Sequence, residues 1–218
     1  MADYLIPVPF FLKKEGGLSK ALTDSASSNP SPCLYKGVQG WHTNKGITWT
    51  TFKSNAQSLG YQASCSNFIS MPIEIWSKIF KLRFWNFWDC DNIPYQSLAD
   101  FMTWTVWGSG GGKFGQTKGS VGFLRGFLIT KGLICNSKDD VKNHLISLAN
   151  EDEQKLWLDL IQYRFDWYAK LNQPANLKGW RNSLDNYKKW GLENYTFLPK
   201  NDNTLISSVF FFFSSLSS

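Results

Sequence analysis

At 218 residues, with 43% hydrophobic and 18% charged side chains, the chain is long enough to bury its own core and too apolar to remain disordered. A net charge of +6 favours an anionic partner, whether nucleic acid, membrane surface or cell-wall polymer, but no run of four Lys or Arg supplies the basic stripe of a nucleic-acid binder. Eleven Trp, eight Tyr and seventeen Phe exceed what such a core needs, which leaves rings to line a groove.

In chain order, a short helix is expected over Phe10 to Glu15, with Pro9 suited to its first turn and Gly16-Gly17 to its end. Thr23 to Thr43 is rich in Ser, Pro, Gly and Asn without an apolar period and reads as a long loop, a class usually tied to function. Thr48 is a suitable N-cap for a helix over Trp49 to Leu59, closed by Gly60. Pro72 to Trp85 places Ile73, Trp76, Ile79, Phe80 and Arg83 on one face, and Tyr95 to Trp107 repeats the pattern up to a Gly-rich stretch, Gly108 to Gly112, expected to act as a hinge. Four further helices are expected over Val121 to Lys131, Asp139 to Ala149, Glu151 to Asn172 and Leu177 to Trp190, the third capped by Asn150 with Glu153 in a capping box. With no alternating strand of six residues and no repeat, the fold class is mainly α.

Several chemistries are set aside. Gly110 to Gly115 fits Gly-x-Gly-x-x-Gly but follows a helix, and Phe114 stands where a phosphate-binding loop needs a hydroxyl. His42 and His144 lie in no nucleophile elbow. Cysteines at 33, 65, 90 and 135 form no Cys-x-x-Cys pair, so no metal is expected and free thiols are. The first residues lack a basic region and contain Pro7 and Pro9, unlike a secretory signal, so folding in a cytoplasm is expected. The apolar run Val209 to Phe213 is far shorter than the ~20 residues that span a bilayer, so no stable membrane insertion is expected.

Carboxylate chemistry remains, and here the motifs Lys14-Glu15-Gly16-Gly17 and Thr43-Asn44-Lys45-Gly46-Ile47-Thr48 resemble those of glycoside hydrolase family 108. The likeness continues through Trp88 to Ile93, Gln96 to Asp100 and Trp104 to Gly110. Arg164 to Tyr168 and Gly179 to Leu184 then resemble the predicted peptidoglycan-binding region that accompanies this family. Two departures are the insertion between Asp24 and Thr43 and Lys118 to Gly122, where relatives carry an Asp-Gly pair.

The resemblance implies a lysozyme-like muramidase of phage type with a catalytic half over 1–112, a helical half over 113–198 and a Ser/Phe-rich tail over 199–218. It implies Glu15 as the acid, Asp24 as the second group and Thr43 as a residue that positions water. Glycan contacts are expected from Trp41, His42, Asn44, Trp85, Trp104, Trp107 and Ser109, because flat rings cover sugar faces while amides and hydroxyls bond their substituents. No cofactor is implied. The expected partner is bacterial peptidoglycan, with no nucleic acid, and the expected form is a monomer held in the host cytoplasm before release or carried in a virion. The rival class is a non-catalytic wall-binding or virion structural protein of the same fold.

Overall fold

The computed structural model describes residues 1–197, and the tail at 199–218 lies outside them. Its elements are α1 (Val8–Lys14), β1 (Leu18–Ser19), β2 (Thr43–Asn44), β3 (Ile47–Thr48), α2 (Trp49–Ala56), α3 (Cys65–Ser70), α4 (Ile73–Phe80), α5 (Gln96–Ser109), α6 (Gly119–Thr130), α7 (Lys138–Lys170) and α8 (Pro174–Asn194). The fold is mainly α and lysozyme-like.

The three strands make one small antiparallel sheet in the order β1-β2-β3, with Ser19 opposite Thr43 and Asn44 opposite Ile47. Lys45 and Gly46 join β2 to β3 with φ of 47° and 76°, the left-handed pair that suits a two-residue hairpin. Thr48 then caps α2 as expected, its side chain accepting from the Thr51 N–H, and Gly60 closes the following short turn at φ 80°.

Two stretches differ from expectation for local reasons. After α4 the chain enters a π-helical turn, Lys81–Trp85, which adds a residue to the repeat. The buried residues are Ile75, Trp76, Ile79 and Phe80 in α4 and Trp85 in the turn, while Ile73 and Arg83 are exposed. The two helices expected around residue 150 run together as α7 with a kink at Asp152. Asp152 Oδ1, rather than Asn150, accepts from the Lys155 N–H, Asn150 accepts from the Tyr95 hydroxyl, and Glu153 turns inward to accept from Ser97.

α5 is the central element, buried at every position from Ser97 to Val106. α6, α7 and the π turn pack around it. The Gly-rich stretch after it is a bonded corner: Ser120 and Val121 donate backbone N–H groups to Gly110 and Gly111, and Gly111 lies against the Phe87 ring. At the middle of α5 the wholly buried Asp100 accepts from Gln96 at 2.7 Å and from the Tyr195 hydroxyl at 2.7 Å, which ties the end of α8 to the core. Burial pushes the Asp100 carboxyl well above the usual carboxylate range, against those two hydrogen bonds.

The expectation of four free thiols is corrected. Cys33 and Cys65 form a disulfide that ties the 24–43 insertion to the start of α3. Their separation of 32 residues carries no local signal. Cys90 and Cys135 are buried thiols, and burial pushes Cys90 up to about 12.

Two stability measurements follow from these links. Closing a loop of 32 residues lowers the entropy of the unfolded chain by an amount worth about 3–4 kcal/mol, so Cys33→Ser with Cys65→Ser should lower Tm by about 10 °C, and an unchanged Tm under reductant would show that the bond contributes nothing. Burial raises the folded Asp100 carboxyl above its ordinary value of 3.8, so the stability present below that pH is lost as pH rises towards the folded value. Asp100→Asn should match wild type near pH 3 and exceed it by a widening Tm margin from about pH 4 upward, and a margin independent of pH would contradict the upward shift of this carboxyl on folding.

Candidate active site

The site begins with the end of α1. Phe10 and Phe11 bury its inner face, and Glu15 leaves the helix with extended φ/ψ while its N–H still bonds the Phe11 carbonyl. Phe11 packs on Phe80 and Trp107, with ring centroids 4.8 and 5.5 Å apart. Trp107, near the end of α5, is held by Phe84, Trp76 and Phe80. Its indole Nε1–H donates to Glu15 Oε1 at 2.8 Å across 92 residues of sequence. With Oε1 engaged as an acceptor, Oε2 is the oxygen available to carry a proton.

The hairpin closes over the same carboxyl. A Cβ on Gly46 would lie 2.7 Å from Glu15 Oε2 and would overlap the Trp107 ring, so only glycine fits between them. Three neighbouring residues lock the turn in place. The Asn44 side chain donates to the Phe68 and Ile69 carbonyls, Lys45 Nζ donates to the Met71 carbonyl, and Trp76 Nε1 donates to the Lys45 carbonyl. The Phe68, Ile69 and Met71 carbonyls are those at the end of α3, so the motif Thr43 to Thr48 caps one helix, starts the next and seats the acid.

Asp24, His42 and Thr43 are brought together at the other end of the β1–β2 pair. His42 is buried, with Nε2 3.2 Å from the Ala21 carbonyl and Nδ1 2.9 Å from Thr43 Oγ1. A carbonyl only accepts, which assigns the proton to Nε2 in the neutral ring and leaves Nδ1 to accept from the Thr43 hydroxyl. Asp24 Oδ1 accepts from the Ala26 N–H, while Oδ2 stands 3.8 Å from His42 Nδ1 on a side chain that is 41% exposed. The sheet thus joins the Glu15 end to a cluster that the insertion separates in sequence.

Other residues expected at the site are placed differently. Asn44 and Trp85 are interior, Trp85 donating to Asp91, so their side chains serve the scaffold rather than a sugar. Trp104 is almost fully buried against Tyr187, with ring centroids 4.4 Å apart. Ser109 accepts from Arg164 Nη2 at 2.7 Å. Trp41 is half-buried beside Tyr35, its indole N–H bonded to the Val38 carbonyl and Lys20 5.6 Å above its ring. Gly46 and Arg164 fall within the sequence motifs without an expected role, and Phe84 has none either. For Gly46 a signal existed, since Lys-Gly between two short β-compatible pairs fits a tight hairpin.

Positive charge gathers behind the acid. Surrounding protein desolvates the Lys14 ammonium and lowers its pKa, with the Glu15 carboxylate opposing this and Arg164 adding to it. The residue as a whole keeps exposed surface, and the enclosed part is the ammonium, 5.3 Å from the Trp104 ring centre. Two cavities flank the region. The larger, about 750 Å³, is lined by Lys13 and Lys14, and the smaller, about 410 Å³, by Phe84, Val106 and Gly110 to Gly112. Glu15 lines neither; it follows Lys14 of the larger in sequence and bonds Trp107, which packs on Phe84 of the smaller. Among the described residues no group of three or more His, Cys, Asp or Glu is gathered to hold a metal ion.

The fit around Gly46 is measurable. Gly46→Ala should cost about 2–4 kcal/mol in denaturant titration, since left-handed strain of ~1–2 kcal/mol is joined by overpacking against Glu15 and Trp107. Gly40 has φ 89° with open space around its Cβ position, so Gly40→Ala should show the strain alone. Equal costs at the two positions would mean that the carboxyl is not clamped.

Residues 8–110 match the model of the family described as Glycosyl hydrolase 108. Among solved structures the chain is similar to SagA of Brucella abortus at 17% identity, with 88% of this chain and 94% of that chain covered and a TM-score of 0.57, a likeness of fold. No curated protein matches the chain. Residues 8–110, where the clamped carboxyl and the ordered motifs lie, are thus similar to glycosyl hydrolase family 108.

Proposed function

We propose that the protein is a muramidase that hydrolyses the β-1,4 bond between N-acetylmuramic acid and N-acetylglucosamine in bacterial peptidoglycan. The observation that carries this reading is the Glu15 carboxyl held by Trp107 and Gly46 with one oxygen left to donate a proton. In this reading Glu15 Oε2 gives its proton to the glycosidic oxygen as the bond to the anomeric carbon breaks. Water adds to that carbon and gives up its proton to Asp24, whose Oδ2 is free of the backbone bond that holds Oδ1. His42 and Thr43 orient the water-side groups through their mutual hydrogen bond. Solvent exchange then returns the proton to Glu15 and removes it from Asp24.

Trp41 and Trp107 are the rings best placed to cover sugar faces, because each keeps accessible surface beside the site whereas Trp85 and Trp104 do not. The favoured setting is a phage endolysin that reaches the wall after synthesis in the host. A Cys33–Cys65 bond supports action outside a reducing cytoplasm, where such bonds persist.

The test is release of reducing ends from purified peptidoglycan, with mass spectrometry of the products to identify which sugar carries the new reducing end. Glu15→Gln should lower the rate by about 10²–10⁴-fold, the range for loss of a general acid, with Tm near that of wild type. N-acetylmuramic acid at the new ends supports the muramidase reading. Absence of any reducing ends from wild type would instead favour a wall-binding protein, and full activity of Glu15→Gln would remove Glu15 from the mechanism.

A further inference from the structure

The larger cavity lies between α1 and α8 and is unused by the hydrolytic steps above. Its α8 wall is one stripe of that helix, Asn182, Asn186, Lys189 and Glu193, at the three- and four-residue spacing that keeps side chains on one face. Leu184, Tyr187 and Gly191 occupy the opposite stripe and are buried against the core. Lys13 and Lys14 from the last turn of α1 form the facing wall, while Phe10 and Trp190, with ring centroids 5.2 Å apart, make an apolar base.

Two features of this cleft are left unmatched by the fold. Lys13, Lys14 and Lys189 make no ion pair among the described residues, and Glu193 is the one acid that lines the cleft with them. Ser183 Oγ, also in the lining, is buried without a hydrogen-bond partner. Buried polar atoms are normally satisfied and gathered cations attract anions, so an anionic ligand with hydrogen-bonding groups would complete this surface.

We infer that the α1–α8 cleft is a subsite for the carboxylate-bearing peptide attached to the glycan strand. This rests on the reading of peptidoglycan as substrate. A peptide of a few residues suits a volume of about 750 Å³, within the ~300–1,000 Å³ of ordinary ligand pockets. Its carboxylates meet the ammonium groups, its amides meet Asn182, Asn186 and the Ser183 hydroxyl, and its methyl groups meet Phe10 and Trp190. A neutral glycan would leave the cations unmatched, and a phosphate polymer would leave the amides and the apolar base unmatched. Lys14 adjoins Glu15 in the chain, so a peptide borne on a sugar beside the acid lies within reach of the cleft.

The test uses full-length protein carrying Glu15→Gln, which holds substrate without cutting it, and calorimetric titration with three probes. These are the disaccharide tetrapeptide of N-acetylglucosamine and N-acetylmuramic acid, the same disaccharide with a neutral methylamide on its lactyl group in place of the peptide, and poly(glycerol phosphate). The peptide-bearing probe should bind about tenfold more tightly than the methylamide disaccharide, and adding Lys13→Gln and Lys189→Gln, both at exposed positions, should bring that ratio near one. A ratio of one before those substitutions, a ratio that survives them, no binding of any probe, or tighter binding of poly(glycerol phosphate) than of the peptide-bearing probe each overturns the peptide subsite. Failure of the hydrolase reading is seen separately, as absence of reducing ends from wild type while the peptide preference persists.

Discussion

The hydrogen bond from the Trp107 indole to the Glu15 carboxyl is the constraint on which the rest of the first half depends. It links the end of α1 to the end of α5, and both ends need support for the donor and acceptor to meet. Burial of α5 from Ser97 to Val106 fixes the direction in which Trp107 leaves the core. The π turn after α4 rotates Phe84 and Trp85 relative to an ordinary helix, which lets Phe84 cover Trp107 while Trp85 turns inward to Asp91. Glu15 needs the opposite treatment, an abrupt exit from its helix, which Gly16-Gly17 permits.

The hairpin supplies the third side of this clamp, and it does so by what it lacks. A missing side chain at Gly46 leaves room for the carboxyl and the indole, while Asn44 and Lys45 spend their polar groups on the carbonyls at the end of α3. The same strand carries His42 and Thr43 towards Asp24. One short sheet therefore positions both the acid and the groups proposed to handle water, and the disulfide anchors the intervening insertion so that its length does not loosen the cluster.

Packing of the second half explains why it is more than an appendage. Tyr187 and Tyr195 of the α8 region reach the core of the first half, the first against Trp104 and the second through Asp100. Arg164 of α7 bonds Ser109 and stacks near Phe123, Trp167 and Tyr168, holding the corner where α5 ends. These contacts bring the cationic stripe of α8 beside the last turn of α1. The cleft between them exists only because both halves share one interior.

What the sequence by itself determined was local: the apolar spacing that makes most helices, the Thr48 cap, the Gly60 stop, and the order of motifs around Glu15. Those features depend on neighbours within a turn or two, so a linear reading reaches them. It could also name Glu15, Asp24 and Thr43 as candidates, because a family resemblance preserves residue type and order. Tertiary structure alone decided which aromatic rings are scaffold and which stay accessible, since Trp85 and Trp107 have similar surroundings in sequence while the first is fully and the second only partly buried. It also decided the Cys33–Cys65 pairing, the shifted face after the π turn, the Asp152 cap and the Gly46 fit, each of which depends on atoms supplied by a distant segment or on a local change of helical repeat. Glu15 was nameable from one dimension; the indole that holds it and the glycine that makes room for it acquire their roles only when three separated elements meet.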